Sequence, residues 1–341
     1  MRRRLTIFLS IGLGLVLVGI WLCIVDFGEM LNTFKKVKIF FIFPLGIFFI
    51  LMYFLRSLRW KIVLSPVEQI TAFESFKLCM TNYFINFLIP IHAGEVAKSL
   101  LLKKMKGTPV SQSLLTVYID KATDLLPVFL LLAVTPFLNP PISSLIYVIS
   151  GILFIIFLFF IFFLISVTYK RNAALTLIEK IFFFLPAKFK MKLRSFFNLF
   201  IEGIASLPRL SNRLLEIIGL TILALIFHCG FLWLFFYSFG INLSALTVFV
   251  GYLLLNASFI LPAPPGFSGS LELTVLFIFS YLYGYDKNVV SAVAASSHVF
   301  MAILFSLFGL LSVALIGTKL STLLKIETEK RGGLEKFQAS D

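Results

Sequence analysis

Long stretches of this chain contain no charged side chain, and this feature most restricts what the chain can fold into. Residues 5–25 and 142–168 are two examples, and a helix needs roughly 20 apolar residues to cross a bilayer. Of the 341 residues, 60% are hydrophobic and 13% are charged, whereas a soluble domain carries about 25% charged residues. One packed core cannot bury that much apolar side chain. The sequence therefore predicts an all-α polytopic membrane protein and excludes a soluble enzyme, a disordered tail and a secreted disulfide scaffold.

About eight hydrophobic elements are expected. Six have the length of full spans, although the third of them carries charged residues: 5–25, 39–55, 112–135, 142–168, 214–239 and 288–317. Two further apolar stretches, 73–90 and 244–262, end in Ile89-Pro90 and Leu261-Pro262. Because proline ends or kinks a helix, these two elements are predicted to be broken.

The net charge of +14 indicates the orientation of the chain in a membrane rather than a nucleic-acid partner. Most of the 30 Lys and Arg residues lie in segments that can face one side together: 2–4, 56–61, 98–106, 170–213 and 319–336. The positive-inside rule makes that side cytoplasmic, with both termini there, and the expected location is the cell membrane. We expect one membrane domain, 1–317, containing a basic amphipathic connector at 170–213 and followed by a polar tail at 318–341.

The same sidedness predicts a path for the two broken elements. The segments that flank 73–90 both favour the cytoplasm, and those that flank 244–262 both favour the outside. Each element is therefore predicted to enter the membrane, break and return, with ordinary full spans and one misassigned loop as the alternative. Two broken elements of opposite orientation, one in each half, are typical of inverted-repeat transporters with a site near the midplane.

The first break follows an asparagine-rich helix and precedes an acidic and a basic residue. A broken backbone inside a membrane is tolerated where it lines a cavity, and ionisable groups at that depth indicate a functional site. Glu95 and Lys98 share one helix face, so a simple ion pair at the cytoplasmic surface is the alternative. The residues singled out here are Asn86, Pro90, His92, Gly94, Glu95 and Lys98.

A second motif places three charges inside an otherwise apolar span. Asp120 and Asp124 are four residues apart and share a face, with Lys121 beside them. Burying three unpaired charges would cost several kcal/mol, so they are expected to pair or to face water. Lys98, Arg56 and Arg59 are the predicted partners, and purely structural pairing is the alternative.

The second break is richer in helix-breaking residues than the first. Its prolines and glycines exclude a continuous helix: Pro262, Pro264, Pro265, Gly266 and Gly269. Glu272 then begins the next helix, where a carboxylate favours the positive end of the helix dipole, so a simple capping role is the alternative to a functional one. Among the histidines, His92 and His298 are the functional candidates. We expect no metal site, no cofactor and no enzymatic activity, because no nucleophile or metal-ligand motif occurs.

The order of these motifs resembles one known family. RxxRW begins at Arg56, N-x₃-P-x₃-GE-x₂-K follows, then an acid–base pair with an acid three further on, and then a PxPxGxxGxxE-like turn ending at Glu272. Together they are similar to the lysylphosphatidylglycerol synthase transmembrane-region family, also called the flippase-like domain, over roughly 5–317. His92 and His298 stand where members often have Arg, and Asp120-Lys121 replaces a frequent Glu-Arg. The resemblance implies movement of a charged or glycosylated lipid, and aminoacyl transfer is not expected.

We therefore expect a transporter that moves the headgroup of a charged phospholipid or a polyprenyl-linked glycolipid across the membrane. Arg56, Arg59 and Lys98 are expected to hold a phosphate, while Glu95, Asp120, Asp124 and Glu272 neutralise that cluster or relay protons. Together with Asn86, His92, Lys121 and His298 they form the predicted headgroup path. The alternatives are an ion-coupled small-solute transporter and an accessory subunit of a lipid- or glycan-modifying system. Membrane lipids are the expected partners, and a second copy of the chain or a separate synthase is left open.

Overall fold

Helices form every regular element in the part of the chain that the computed structural model describes. That part comprises residues 2–35, 37–89, 93–134, 213–258 and 263–318, with four single residues between 148 and 155. The helices are α1 Arg2–Ile24, α2 Phe27–Phe34, α3 Ile42–Leu64, α4 Ala72–Leu88, α5 Ala93–Lys106, α6 Val110–Val134, α7 Leu214–Ser238, α8 Ala245–Ser258, α9 Ser270–Val275 and α10 Lys287–Leu315. Short 3₁₀ turns lie at Ile39–Phe41 and Pro265–Phe267, and a π-helical segment, Leu276–Leu282, continues α9.

Three helical segments are long and apolar enough to cross a membrane. They are Ile39–Leu64, Leu214–Ser238 and Lys287–Leu315, which match three of the six predicted spans. The pair Gly12–Ile24 and Phe27–Phe34, bent by 88°, counts as a fourth if both helices form one span. The predicted span 142–168, the connector 170–213 and the tail 318–341 lie almost wholly outside the described residues, so the total of about eight elements stays a prediction.

Helix α3 differs from its predicted boundaries. Its span was expected to end at residue 55, with Arg56 and Arg59 in a cytoplasmic segment, but the helix continues to Leu64. Arg59 and Trp60 within this extension are fully buried. Hydropathy ends a span at the first charge, whereas partners on neighbouring helices allow a charged residue to stay inside.

Contacts between the loops define two ends of the bundle. At one end, which we call the Lys104 end, Lys104 Nζ donates to the carbonyl oxygen of Gly317 at 2.9 Å, and Thr108 Oγ1 donates to Glu68 Oε2 at 2.7 Å. At the opposite end, Lys287 Nζ donates to the carbonyl oxygen of Ile24 at 2.9 Å. The basic segment 98–106 and the start of the tail thus lie at the same end, as the distribution of charge predicts.

Helices α4 and α5 form an antiparallel hairpin that begins and ends at the Lys104 end. An ion pair of 3.0 Å joins Lys106 Nζ, at the end of α5, to Glu74 Oε1 in the first turn of α4. Thr71 and Glu74 form a capping box that fixes where α4 begins. The turn of this hairpin is the first break, of which Pro90 and His92 lie outside the described residues.

Apolar side chains fill the bundle and also cover its outside. Inside, Phe49, Tyr53 and Phe305 pack ring against ring, with centroids 4.7–5.2 Å apart. Outside, large apolar side chains such as Leu215 and Phe43 are more than three-quarters exposed. A surface of this kind suits lipid as its solvent, which agrees with the predicted fold class.

Candidate functional site

The buried arginine Arg59 joins three helices. Its Nε donates to Asp120 Oδ1 at 2.8 Å and its Nη2 donates to Asp124 Oδ1 at 2.6 Å, both on α6. Nη1 donates to Thr221 Oγ1 on α7 at 3.2 Å, and Nη2 also lies 3.3 Å from the carbonyl oxygen of Asp120. The two aspartates reach one guanidinium because residues four apart share a helix face. The predicted pairing of these acids with an arginine is thus present in the structure.

Arg56 lies one helical turn from Arg59 and is held more loosely. Its Nη2 is 3.8 Å from Asp124 Oδ1, which is an ion-pair distance but too long for a hydrogen bond. It lines a small pocket of about 20 Å³ between α3, α6, α7 and α8. The other residues that line this pocket, which we call the Arg56 pocket, are Arg59, Asp124, Thr221, Ala224, Leu225, Tyr252, Leu253 and Asn256.

The first break is tied to α4 and α6 through Glu95. Asn86 Nδ2 donates to Glu95 Oε1 at 3.0 Å, and Asn86 Oδ1 accepts from the backbone N–H of Gly94 at 2.8 Å. Lys121 forms an ion pair with the same carboxylate. Lys121 follows Asp120 by one residue, so it projects about 100° round α6 and reaches α5 instead of α3. One short motif on α6 therefore connects both neighbouring helices.

Lys98 is buried without a carboxylate partner among the described residues. Its Nζ lies 3.5 Å from the centroid of the Trp60 ring, and the side chain is 2% exposed. The Trp60 indole in turn donates to Thr116 Oγ1 at 3.2 Å. The predicted options for Lys98 were an aspartate of α6 or Glu95, and the structure instead places its ammonium over an aromatic face. Such a cation–π contact partly offsets the cost of burying the charge.

The second break is held by a histidine on α10. His298 Nδ1 lies 2.5 Å from Glu272 Oε1, and His298 Nε2 lies 2.5 Å from the carbonyl oxygen of Gly266. A carbonyl oxygen can only accept, so Nε2 carries a hydrogen. A hydrogen bond between Nδ1 and Oε1 requires one proton, and the pair is electrically neutral whichever of the two atoms holds it. Glu272 Oε2 also accepts from the backbone N–H of Gly269 at 2.9 Å, so Glu272 both caps α9 and pairs with His298.

The two breaks lie against each other. Phe87, in the last turn of α4, packs edge-on against the His298 ring with centroids 5.9 Å apart. A Cβ added to Gly266 would lie 3.7 Å from Phe87 Cζ. The end of the first broken helix and the turn of the second break therefore meet in the interior of the bundle.

Most of the predicted path residues fall into two groups. Arg56, Arg59, Glu95, Lys98, Asp120, Lys121 and Asp124, which we call the inner charge cluster, lie on α3, α5 and α6. Glu272 and His298 form the second group, and Asn86 and the start of α5 lie between the groups. His92, Pro90 and Pro262 lie outside the described residues, while Pro264, Pro265, Gly266 and Gly269 form the turn of the second break.

Sequence reasoning missed the neutral side chains of the Arg56 pocket. Tyr252 and Asn256 are four residues apart in α8 and share a face, and this polar spacing in an apolar stretch was an available signal. Thr221 on α7 gave no such signal. His228 is not among the functional candidates from the sequence. Its Nδ1 bonds to the Ala224 carbonyl oxygen at 2.7 Å, and its ring packs against Tyr252.

Replacing His298 with alanine is expected to lower the free energy of unfolding by about 1–3 kcal/mol, because it leaves Glu272 and the Gly266 carbonyl without their partner. The measurement is the loss of monodisperse protein in a detergent heating series. Val299→Ala is the matched control, since Val299 is the next residue on α10 and is 59% exposed. Equal losses in the two variants would contradict the role of His298 as a tie between α10 and the second break.

Comparison with known proteins identifies the family. A family model described as the lysylphosphatidylglycerol synthase TM region matches residues 7–309. The chain belongs to this family. It is therefore a membrane protein, and the match includes both breaks and the inner charge cluster.

Two matches to proteins described as "UPF0104 membrane protein" from Methanothermobacter thermautotrophicus agree with this family. One is 24% identical over 129 residues, covering 37% of this chain and 36% of the relative. The other is 21% identical over 323 residues, covering 91% of this chain and 95% of the relative. No solved structure matches the chain.

Proposed function

We propose that this protein is a transporter that moves the headgroup of a charged phospholipid or a polyprenyl-linked glycolipid across the cell membrane, and that it performs no catalysis. The observation that carries the proposal is the meeting of the two breaks beside the inner charge cluster. Broken helices in a membrane are tolerated where they line a cavity or a polar path. Membership in a family described by a lipid synthase membrane region supports a role that involves lipids.

In the proposed arrangement the α4–α5 hairpin enters the membrane from the cytoplasm and the α8–α9 hairpin enters from outside. Both termini would then be cytoplasmic, and the two hairpins would correspond in an inverted repeat. The Glu74–Lys106 ion pair supports the first of these paths, because it keeps both ends of that hairpin together. Lipid tails would stay at the apolar outside of the bundle while the headgroup passes the charged interior.

A small-solute transporter is the second candidate, because the Arg56 pocket is small. Its volume of about 20 Å³ has room for a group of only a few atoms and is far below the range for pockets that hold drug-sized ligands, about 300–1,000 Å³. A solute of that size would need no opening toward the lipid. Transport of lipid analogues separates the two candidates directly.

The test is the transbilayer movement of fluorescent lipids in vesicles that contain the purified protein. Wild-type protein is expected to expose lipid from the inner leaflet to an impermeant quencher faster than protein-free vesicles do. Glu95→Gln is expected to slow this movement about tenfold or more, a change of about 1.4 kcal/mol in the barrier, because it removes the buried carboxylate with which Lys121 pairs on the proposed path. Glu95 is 2% exposed and pairs with Lys121.

Glu216→Gln is the matched control, because Glu216 is about half exposed and pairs only with Arg213 at 3.4 Å among the described residues. Its lipid movement is expected to equal that of the wild type. Rates equal to those of protein-free vesicles for every headgroup tested would refute lipid transport. A Glu95→Gln rate equal to the wild-type rate would remove the inner charge cluster from the proposed path.

A further inference from the structure

The Arg56 pocket contains hydrogen-bond donors that no group in the described part of the chain uses. Arg59 donates hydrogen bonds from its N–H groups to Asp120, Asp124 and Thr221. Arg56, by contrast, makes no hydrogen bond within the described part of the chain, and its ion pair with Asp124 is 3.8 Å long. The hydroxyl of Tyr252 and the amide of Asn256 line the same pocket, and the described residues offer neither of them a partner.

Thr221 lines the pocket, but its hydroxyl hydrogen is already used in a hydrogen bond. Its hydroxyl donates to the Ile217 carbonyl oxygen at 2.7 Å and accepts from Arg59. The unused donors are therefore a guanidinium, a phenol and an amide. Arginine binds phosphate oxygens through paired N–H groups, and uncharged donors complete such a site.

Counted by the formal charges of its seven residues, the inner charge cluster has an excess of one positive charge. Its positive side chains are Arg56, Arg59, Lys98 and Lys121, and its negative ones are Glu95, Asp120 and Asp124. The neighbouring pair of Glu272 and His298 is neutral and does not change this balance. Uncompensated charge inside a membrane is costly, so a ligand with one negative charge would make the cluster neutral.

We propose that the Arg56 pocket binds a phosphate group that carries a single negative charge, with Arg56, Tyr252 and Asn256 as its direct ligands. This inference rests on the proposed function and narrows its substrate to headgroups with a net charge of about −1. A phosphodiester has that charge. A headgroup esterified with lysine has a net positive charge, so it would increase the excess inside the cluster and bind more weakly.

Equilibrium binding of lipids with different headgroup charge tests this inference. The purified full chain in detergent is titrated with phosphatidylglycerol, which has one negative charge, and with phosphatidylcholine, which has none, and bound lipid is counted by native mass spectrometry. Phosphatidylglycerol is expected to bind about tenfold more tightly, as a charge-assisted contact to Arg56 would provide. Arg56→Gln is expected to remove this preference, and Arg56→Lys to retain part of it.

Arg213→Gln is the matched control, because Arg213 is an exposed arginine at the Lys104 end, and its preference is expected to equal that of the wild type. Equal binding of the two lipids by the wild type would overturn the inference, as would a full preference in Arg56→Gln. If Arg56→Gln does not fold, the double variant Tyr252→Phe, Asn256→Leu replaces it, and an unchanged affinity for phosphatidylglycerol there would also overturn the inference.

Competition with inorganic phosphate distinguishes a lipid headgroup from free phosphate as the ligand. Weak competition supports the lipid headgroup. Competition at an affinity similar to that of the lipid supports the phosphate site but counts against lipid transport. Charge-selective binding without lipid movement in vesicles would likewise refute the proposed function alone, whereas lipid movement without charge selectivity would refute this inference alone.

Discussion

Arg59→Gln is expected to lower the free energy of unfolding by about 3–5 kcal/mol, because it leaves Asp120 charged and buried without its partner. Arg59 is 1% exposed and Asp120 is 8% exposed, so little water is available to replace the lost contacts. The same change removes the hydrogen bond to Thr221, which is one of the contacts between α3 and α7. The measurement is the midpoint of thermal unfolding in detergent together with the yield of monodisperse protein.

A double variant separates the charge effect from a loss of packing. Arg59→Gln combined with Asp120→Asn removes both charges, so it is expected to recover about 1 kcal/mol or more of the loss. Arg213→Gln is the surface control and is expected to change stability by no more than about 0.5 kcal/mol. If the double variant is less stable than Arg59→Gln alone, Arg59 acts through its packing and not through the ion pair.

Gly269→Ala is expected to lower the free energy of unfolding by about 2–5 kcal/mol, the sum of backbone strain and a steric clash. Gly269 has φ 75°, a conformation that L-residues rarely adopt. An added Cβ would also lie 2.5 Å from the backbone nitrogen of Val18 and 2.6 Å from Leu17 Cβ, both on α1. Because part of this contact is with backbone, α1 and the second break would have to separate.

Gly284→Ala provides a control for the strain alone. Gly284 has φ 76°, almost the same as Gly269, but no atom lies within 4 Å of an added Cβ. It is expected to cost about 1–2 kcal/mol, so the difference between the two variants measures the close approach of α1. Equal losses, measured by thermal unfolding in detergent, would show that α1 does not press against the turn.

The broken elements were predictable from local chemistry. Proline and glycine at 262–269 exclude a continuous helix whatever surrounds them, and the structure has a 3₁₀ turn there with Gly266 and Gly269 at positive φ. The pairing of Asp120 and Asp124 with Arg56 and Arg59 was also among the predicted options, because buried carboxylates need a cation.

The choice among partners was not predictable. Lys121 pairs with Glu95 and Lys98 lies over Trp60. The sequence alone equally allowed Lys98 to pair with Glu95 or with an aspartate of α6. The neutral residues of the Arg56 pocket come from α7 and α8, more than 150 residues after Arg56 in the chain. Hydropathy also ended the second span too early. It takes no account of the carboxylates that α6 supplies to Arg59 near the C-terminal end of α3.

By itself, the sequence determined the class of this protein, the sites of its breaks and the small set of ionisable residues inside the helical bundle. These follow from properties of single segments: apolar length, the missing N–H of proline and the cost of buried charge. The tertiary structure alone decided that the two breaks touch through Phe87 and Gly266. It also decided that Arg59 donates hydrogen bonds to protein groups, whereas Arg56 donates none within the described residues. Such outcomes depend on distances between helices far apart in the chain, and the composition of each helix does not contain those distances.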